Sequence, residues 1–356
     1  MIPATASLPT PQNQGWALQP PSPGCIARPW PLPGKWLALA KQSKTEVWGS
    51  DLRTQQLVDW CVSRLGPGEL VPSIPAAGGQ MSNIYRYLME DTSAVVKVRS
   101  ESLERIKHCL EAQRVAANSG FPCPAPLADA EALDAAAVVS AEEWRPGGEI
   151  LRGHDGGSAR RSAVLLAELM TLLVRHPGQA LDPPPPWVHW NPPGGGLWPP
   201  NGPVDSMDQT LVPEFIRECA RRTAARLGRS TLPRVVGHGD WEAQNIRWKD
   251  GRPWSVYDWD SLVSLPEAAI VGAASGAFAS AEVPSLAPIE SSRIFVASYE
   301  SARERTFTGD EMEIAWAASM WPTLHNARGE YLFRSAPVAS LAVIDQGEER
   351  LNLAKA

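Results

Sequence analysis

The sequence predicts an α+β fold with two lobes, a sheet-rich N-terminal lobe and a larger, mostly helical C-terminal lobe. Three observations predict it. Strand-like runs separated by short turns occupy residues 74–100, and one long helical pattern follows them. The segment "RPGGE" at 145–149 breaks the chain after a further strand-like run. Beyond this break, amphipathic helical patterns fill most of the sequence.

The same observations divide the 356 residues into three parts. Residues 1–48 are rich in proline and show neither helical nor strand periodicity, so we expect a disordered tail or an over-extended translation start. Residues 49–143 are the expected N-terminal lobe, and residues 144–356 the expected C-terminal lobe. With 44% hydrophobic residues, the chain can bury a sizeable core.

The N-terminal lobe is predicted to begin with a helix that ends at Gly66. Its apolar face consists of Leu52, Leu57, Cys61, Val62 and Leu65. Residues 74–100 then read as a strand, a glycine-rich turn, a second strand, an acidic turn at Glu90-Asp91 and a third strand. A long helix from about Ser102 to Asn118 follows, and "AAAVVSAEEW" is the last strand before the break.

The C-terminal part is predicted to be mostly helical. Helices are expected at Ser162–Arg175 and Pro213–Leu227, with a loop rich in Pro, Gly and Trp at 176–203 between them. A β-hairpin is expected from about Gly239 to Asp260. The uncharged run Ala268–Ala281 is rich in Ala and Gly and fits a packed interior better than a membrane.

Composition excludes several classes of protein. The formal net charge is −6, and the basic residues form no stripe along the sequence. Nucleic acid and anionic membranes are therefore not expected partners. No run of about 18 apolar residues occurs, so no membrane span is expected. The five cysteines are scattered and form no C-x-x-C pair, which argues against a disulfide framework or a structural zinc site. We therefore expect a cytoplasmic protein.

The stretch richest in chemistry is "VVGHGDWEAQNIRWKDGRPWSVYDWDSL" at 235–262. Asp-Gly between two strand-like runs is a strong signal for a two-residue hairpin turn. If Lys249 pairs with Arg252, Asn245 lies opposite Val256, and Asp258 lies diagonal to Asn245 on the same face. An amide oxygen and a carboxylate would then meet at the open end of the hairpin, which suits Mg²⁺.

These residues match the needs of phosphoryl transfer, which requires a base for the attacking hydroxyl and a metal on the phosphates. Asp240 can be the base, and Asn245 and Asp258 can hold Mg²⁺. The spacing Asp-x4-Asn also matches the catalytic loop of protein kinases. The alternative is that all three are turn-forming residues, since Asp and Asn favour turns.

"HGDWEAQN", followed thirteen residues later by "DWD", resembles the aminoglycoside phosphotransferase and choline-kinase-like family of small-molecule kinases. The resemblance continues upstream and covers about residues 75–262. It implies a bilobal protein-kinase-like fold, with a small antiparallel-sheet N-terminal lobe that carries one long helix. It also implies a larger, mostly helical C-terminal lobe and ATP bound between the two, with GTP as an alternative.

The resemblance also assigns residues to the nucleotide. "GGQMSNIYRY" is similar to the family's nucleotide loop, which implies that Gly78, Gly79, Ser82 and Asn83 approach the ATP phosphates. "VVKV" resembles the strand with the phosphate-binding lysine, here Lys97, although a lysine at a strand end is often an ordinary one. "CLEAQRVAANSGFPCPAP" resembles the helix that carries the carboxylate partner of this lysine. The resemblance implies Glu111 for that partner, and Glu104, on nearly the same helix face, is the alternative.

Some roles stay open on the sequence. His238 is either an orienting, structural residue or a proton donor or ligand, and Asp260 is a second metal ligand, an acceptor contact or a helix cap. The chain departs from many family members at Trp241-Glu242-Ala243-Gln244, on the acceptor side of the loop. The tryptophans of the 176–203 loop either stack on an acceptor or pack together; they are Trp187, Trp190 and Trp198.

The function that the sequence favours is transfer of the γ-phosphoryl group of ATP to a hydroxyl of a small molecule. The acceptor would be an antibiotic, an amino alcohol or a sugar-like metabolite, bound between segment 176–212 and the helices after Pro266. A protein kinase is the second hypothesis, although Gly239 replaces the arginine of protein kinases and no Ala-Pro-Glu segment follows Asp258. A non-catalytic nucleotide-binding module is the third, although base, metal ligands and lysine are all present.

Overall fold

The computed structural model of the chain describes residues 51–72 and 82–356. The tail predicted for residues 1–48 and the glycines Gly78 and Gly79 lie outside these ranges. Within the two described ranges, no helix is both long and apolar enough to cross a membrane.

The N-terminal lobe is built on a five-stranded antiparallel sheet. Its strands are β1 (Glu69–Pro72), β2 (Ser82–Leu88), β3 (Ser93–Arg99), β4 (Pro126–Asp134) and β5 (Ala137–Glu143). Their order in the sheet is β1-β2-β3-β5-β4, so β3 lies in the centre. Strands β2 and β3 correspond to the second and third strands predicted over 74–100. The strand predicted before the glycine-rich turn lies outside the described residues, and β1 and β4 were not predicted.

Two helices complete this lobe. Helix α1 (Asp51–Leu65) packs on the sheet through Leu57, Trp60 and Cys61, and the chain leaves it at Gly66 with φ +93°. Helix α2 (Leu103–Asn118) begins at Ser102, whose hydroxyl accepts a hydrogen bond from the backbone N–H of Arg105. Both helices match the predicted ranges to within about two residues.

The C-terminal lobe consists mainly of helices. They are α3 (Gly156–Leu173), the single turn α4 (Gly202–Asp205), α5 (Glu214–Gly228), α6 (Glu267–Ala277), α7 (Ile289–Ala302), α8 (Gly309–Ala318), α9 (Trp321–Phe333) and α10 (Ala339–Leu353). Helix α3 starts six residues before the predicted Ser162, because Asp155 caps it by accepting hydrogen bonds from the N–H groups of Gly157 and Ser158. Helix α5 lies where it was predicted.

Two short β-ladders support the predicted catalytic segment. Strand β6 (Arg234–His238) pairs with β9 (Leu262–Pro266), and β7 (Ile246–Lys249) pairs with β8 (Arg252–Val256) as a hairpin. The apolar face of α3 packs against α6, α7 and β6, and this contact forms the core of the lobe. Both ladders therefore pack against the helical core of the C-terminal lobe.

Helix α6 is buried from Ala268 to its end, as the run Ala268–Ala281 predicts. It packs closely on α8 because Gly272 and Gly276 carry no side chain. A Cβ added at Gly272 would lie 2.1 Å from the carbonyl oxygen of Ala315, and one at Gly276 would lie 2.0 Å from that of Ser319. The overall arrangement is the bilobal α+β fold predicted from the sequence.

Candidate active site

The hairpin between β7 and β8 has the predicted turn and a shifted register. Lys249 pairs with Arg252, and Asp250 and Gly251 form the turn with φ of +51° and +73°. The expected Asn245–Val256 pairing is wrong, because Val256 pairs with Ile246. The register shifts between Arg247 and Trp248, and this places one extra residue in β8 after Pro253, which has no N–H for the ladder.

As a result of this shift, Asn245 lies beside Tyr257, whose N–H donates to the Asn245 carbonyl oxygen at 2.8 Å. The Asn245 side-chain amide donates to the Oδ2 of Asp240 at 2.7 Å and to the Asp240 carbonyl oxygen at 2.9 Å. The amide nitrogen is thus occupied by Asp240, and the amide oxygen is the atom left for a cation.

Asp240 follows strand β6 at the open end of the hairpin. Its burial, together with the negative charge of Asp258, raises the pKa of the Asp240 carboxyl to about 7, although the Asn245 hydrogen bond lowers it. A carboxylate with a raised pKa is a better proton acceptor than an ordinary surface Asp. The site therefore brings a potential base close to a second carboxylate.

Asp258 takes the left-handed conformation, with φ +61°, two residues after the end of β8. Its Oδ2 accepts a hydrogen bond from the Ser261 hydroxyl at 2.6 Å. A non-glycine residue in this region of φ is uncommon and is often found at functional sites. Asp240, Asn245 and Asp258 thus lie together, although the chain reaches Asp258 through a turn and not along the extended strand that was expected.

Asp260 forms an ion pair with the N-terminal lobe. Its Oδ2 lies 2.5 Å from the Nε of Arg99, a β3 residue that is 2% exposed. Burial would raise the pKa of Asp260, but the charges of Arg99 and Lys97 outweigh burial and hold it below its usual value. Asp260 therefore connects the two lobes. The sequence had left three other roles open for it, which were a second metal ligand, an acceptor contact and a helix cap.

Lys97 on β3 is buried, and its Nζ lies 2.8 Å from the Oε1 of Glu142 on β5. Ser140 of β5 lies directly opposite Lys97, and Glu142 is two residues further along β5. The side chains of Lys97 and Glu142 therefore lie on the same face of the sheet. Burial lowers the pKa of Lys97, but the charges of Glu142 and Asp260 reverse this and raise it. Lys97 is therefore a charged, fixed cation.

The expected pairing of Lys97 with Glu111 is wrong. Glu111 is exposed on α2, and so is the alternative, Glu104. The α2 residue that reaches Glu142 is Gln113, which is about 200° further around the helix than Glu111. Its side-chain amide donates to the Oε2 of Glu142 at 3.0 Å. The polar residues Ser140 and Glu142 of β5 are two positions apart, and this spacing was the available signal for Glu142.

Ser82 and Asn83 begin strand β2, where they lie opposite Arg99 and Val98 of β3. Both are half-buried, next to the strand that carries Lys97. Their assignment to the nucleotide phosphates, like that of Gly78 and Gly79, stays a prediction.

His238 links the two ladders. Its Nδ1 accepts a hydrogen bond from the Asp240 N–H at 3.1 Å, and its Nε2 lies 3.0 Å from the Tyr257 carbonyl oxygen. These partners require a neutral ring with the proton on Nε2. Burial agrees with that state, since it lowers the pKa of His238. The geometry therefore favours the orienting, structural role.

The residues that follow Asp240 were singled out only as departures from the family pattern. Trp241 is buried, and its Nε1–H donates to the Ser162 hydroxyl at 2.9 Å, which anchors the loop on α3. Glu242 is also buried and accepts a hydrogen bond from the Gln244 amide at 2.6 Å. Burial and the charge of Asp240 raise the pKa of Glu242 well above its usual value. A second buried acid thus lies beside Asp240.

The loop at 176–203 packs against the turn that carries Asp240. A Cβ added at Gly239 would lie 3.2 Å from the Val188 side chain. Farther along, the loop lines a cavity of about 560 Å³ together with α5, α9 and the segment between α4 and α5. Arg328 lines this cavity and donates to the Oε1 of Gln209 and the Oδ1 of Asp205, while its Nη1 is buried without a hydrogen-bond partner.

The three tryptophans of the loop pack on the protein. Trp198 lies against Trp321 with ring centroids 5.5 Å apart, and the Arg328 guanidinium lies 5.2 Å from the Trp198 ring centroid. Trp187 and Trp190 pack against the helical core. This arrangement fits the packed cluster, one of the two interpretations of these tryptophans.

Comparison with known proteins adds to the geometry. The sequence model of the phosphotransferase enzyme family matches residues 73–268. A thermostable mutant of aminoglycoside phosphotransferase APH(4)-Ia, in ternary complex with ADP and hygromycin B, superposes with a TM-score of 0.50 at 11% identity. That superposition covers 85% of this chain and 99% of the other, and at this identity it bears on the fold alone.

Two further solved structures match less closely. Spectinomycin phosphotransferase APH(9)-Ia, in complex with ADP and spectinomycin, gives a TM-score of 0.47 at 13% identity, over 85% of this chain and 97% of that one. A choline/ethanolamine kinase family protein from Mesorhizobium loti gives 0.46 at 14% identity, over 85% and 95% of the two chains. Among curated proteins, none matches the sequence.

Proposed function

The chain belongs to the phosphotransferase enzyme family, and from this membership we propose that it transfers the γ-phosphoryl group of ATP, or of GTP, to a hydroxyl of a small molecule. The observation that carries the proposal is the cluster at the open end of the hairpin. There the Asn245 amide holds the Asp240 carboxylate at 2.7 Å, and Asp258 lies close enough to raise its pKa.

Asp240 is the proposed base. Phosphoryl transfer needs a group that orients the acceptor hydroxyl and takes its proton as the bond to phosphorus forms. The Asn245 hydrogen bond occupies Oδ2 of Asp240, and the Asp240 N–H is held by His238. The carboxylate is thus fixed in orientation before the acceptor arrives, which lowers the entropic cost of reaching the reactive geometry.

Asn245 and Asp258 provide the oxygen ligands that Mg²⁺ prefers. The amide oxygen of Asn245 and the second carboxylate oxygen of Asp258 are both hard ligands, of the kind Mg²⁺ takes alongside waters and phosphate oxygens. When bound, the metal neutralises charge on the phosphates. The Ser261 hydroxyl donates to Oδ2 of Asp258, which leaves Oδ1 for the metal. The Asn245 amide nitrogen donates to Asp240, which leaves the amide oxygen for the metal.

Lys97 is the proposed cation for the nucleotide phosphates, with Glu142 as the carboxylate that positions it. Both groups are nearly buried, so the pair is screened less by solvent than a surface ion pair. Gly78, Gly79, Ser82 and Asn83 remain the proposed backbone and side-chain contacts to the phosphates. Glu111 has no place in this set, because it is exposed on the far face of α2.

The acceptor is proposed to bind along the 176–203 loop, reaching from Gly239 toward the cavity beside Arg328. The unpaired Nη1 of Arg328 calls for an oxygen acceptor on the ligand. Asp205, half exposed in the same cavity, suits an amine or hydroxyl donor. These groups favour a hydroxyl-rich molecule that also carries an amine, the class to which hygromycin B in the APH(4)-Ia complex belongs.

The unbridged cysteines of the described residues agree with a cytoplasmic location.

The test is ADP release with Mg-ATP over a panel of aminocyclitol antibiotics, amino alcohols and sugars, with the product identified by mass. We expect at least one small alcohol to stimulate ADP release and to gain one phosphoryl group, and the Asp240→Asn variant to lose this activity. Phosphorylation of casein with none on any small alcohol would instead make the chain a protein kinase. Absence of turnover over the whole panel would favour a non-catalytic module.

A further inference from the structure

Away from the hairpin, three side chains able to bind a metal converge where α2 meets the end of α3. They are His108 and Glu111 of α2 and His176, three residues beyond the end of α3. One ligand atom from each lies within 4.8 Å of the other two. None of the three has a part in the phosphotransfer site described above.

The fold itself produces this convergence. His108 and Glu111 are three residues apart on a helix, so their side chains lie on the same face about one turn apart. Contacts between α2 and α3 bring His176 to that face, and its ring lies edge-on to the His108 ring, with centroids 6.3 Å apart. The site therefore joins the helix of the N-terminal lobe to the first helix of the C-terminal lobe.

Each histidine keeps at least one ring nitrogen available for a ligand. The Nε2 of His176 lies 3.2 Å from the His108 carbonyl oxygen, the contact by which metal-binding histidines commonly fix their tautomer. That arrangement places the proton on Nε2 and the lone pair on Nδ1. The Nδ1 of His108 is buried and has no hydrogen-bond partner, an exception among buried polar atoms that calls for an explanation.

From this geometry we propose that His108, Glu111 and His176 bind a divalent transition metal of the zinc class, with solvent in the fourth position. Two imidazoles and one carboxylate are a typical ligand set for Zn²⁺ with an open position. Zinc bonds of about 2.0–2.2 Å in a tetrahedron bring ligand atoms to about 3.4 Å from one another. The exposed Glu111 side chain is free to swing inward and close the remaining gap. The cysteine pattern, which argued against a structural zinc site, does not bear on a site without thiolates.

The experiment is calorimetric titration of ZnCl₂ into the full chain, with millimolar Mg²⁺ present to occupy the hairpin carboxylates. We expect saturable binding of one Zn²⁺ per chain. His108→Ala and His176→Ala should each weaken it by about 10-fold or more, because loss of even an outer-shell partner costs about 10- to 100-fold in metal affinity. Glu111→Gln, an exposed change that should leave the fold intact, should weaken it as well. His154→Ala, at an exposed histidine outside the cluster, is the matched control and should bind like the parent.

Cobalt supplies a second readout that does not depend on affinity. Co²⁺ bound to the parent should show the visible absorption of a four-coordinate N/O site, and this should be absent from the His108→Ala/His176→Ala double variant. Two results would overturn the proposal. One is an absence of saturable Zn²⁺ binding to the parent, and the other is one-to-one binding that the double variant retains, which would place the metal elsewhere.

Discussion

At the scale of single residues, the pair formed by Lys97 and Glu142 differs most from the expectation. Removing two charges from water is costly, and such a pair persists only when its remaining hydrogen bonds are satisfied. Here the second oxygen of Glu142 accepts from the Gln113 amide, which in turn also donates to the Pro124 carbonyl oxygen. Helix α2 therefore reaches the lysine through an amide and a sheet carboxylate, and not through a carboxylate of its own.

This arrangement predicts which glutamate matters for turnover. Glu142→Gln should lower kcat by about 100-fold, because the lysine loses the partner that holds it in place. Glu111→Gln, an exposed position on the neighbouring helix, should leave kcat unchanged and serves as the control. Steady-state ADP release with the acceptor found in the panel gives both values. If Glu111→Gln slows turnover and Glu142→Gln does not, the assignment of the lysine partner is wrong.

At the scale of elements, the hairpin shows what sequence patterns can and cannot supply. Asp-Gly between two apolar runs predicted the turn, and the turn is there. The prediction missed the shift of register in β8 after Pro253, because the pairing was extended from the turn without the extra residue of a bulge. Pro253 was the available signal, since proline inside a strand is often found at a bulge. The three site residues still meet, since the left-handed Asp258 redirects the chain after the bulge. Strand β4 was missed for a related reason, because three register irregularities interrupt its pairing with β5.

The contact between α6 and α8 gives a prediction at this scale. Gly272→Ala should destabilise the protein by about 2–3 kcal/mol, the upper part of the range for overpacking, because its Cβ would lie 2.1 Å from a backbone oxygen. Gly309→Ala, in the first turn of α8, has no atom within 4 Å of the added Cβ and should change stability by less than about 1 kcal/mol. Urea unfolding measures both. Equal stability of the two variants would contradict the close packing of α6 on α8.

At the scale of the whole molecule, buried arginines of the N-terminal lobe bond to the C-terminal lobe. Arg99 reaches Asp260, and Arg105 donates to the carbonyl oxygens of Leu181 at 2.5 Å and Leu262 at 2.8 Å. Sequence patterns predicted both lobes and the helix that carries Arg105. They could not predict these bonds, because all three partners lie more than 75 residues away in the sequence and two of them are backbone atoms. Long-range partners of this kind leave no local periodicity to detect.

The lobe contact can be tested by removing one arginine. Arg105→Met should cost about 2–3 kcal/mol of stability, because it leaves the Leu181 and Leu262 carbonyl oxygens without their buried donor. Lys107→Met, an exposed change on the same helix, is the control and should stay within about 0.5 kcal/mol of the parent. Thermal and urea unfolding of both variants provide the comparison. If Lys107→Met is as unstable as Arg105→Met, the loss of stability comes from substitution in the helix itself and not from loss of the contact between the lobes.

The central claim is that the three hairpin carboxylates have different roles, with Asp240 as base, Asp258 as metal ligand and Asp260 as the partner of Arg99. Calorimetric titration of Mg-ATP into Asp240→Asn, Asp258→Asn and Asp260→Asn, each followed by its turnover rate, tests this most directly. We predict that Asp240→Asn binds Mg-ATP with nearly the parent affinity while turnover falls by about 100-fold or more. Asp258→Asn should weaken the binding itself, and added Mg²⁺ should restore part of it. If Asp260→Asn loses Mg²⁺-dependent binding while Asp258→Asn keeps it, or if Asp240→Asn turns over like the parent, the account of this site is contradicted.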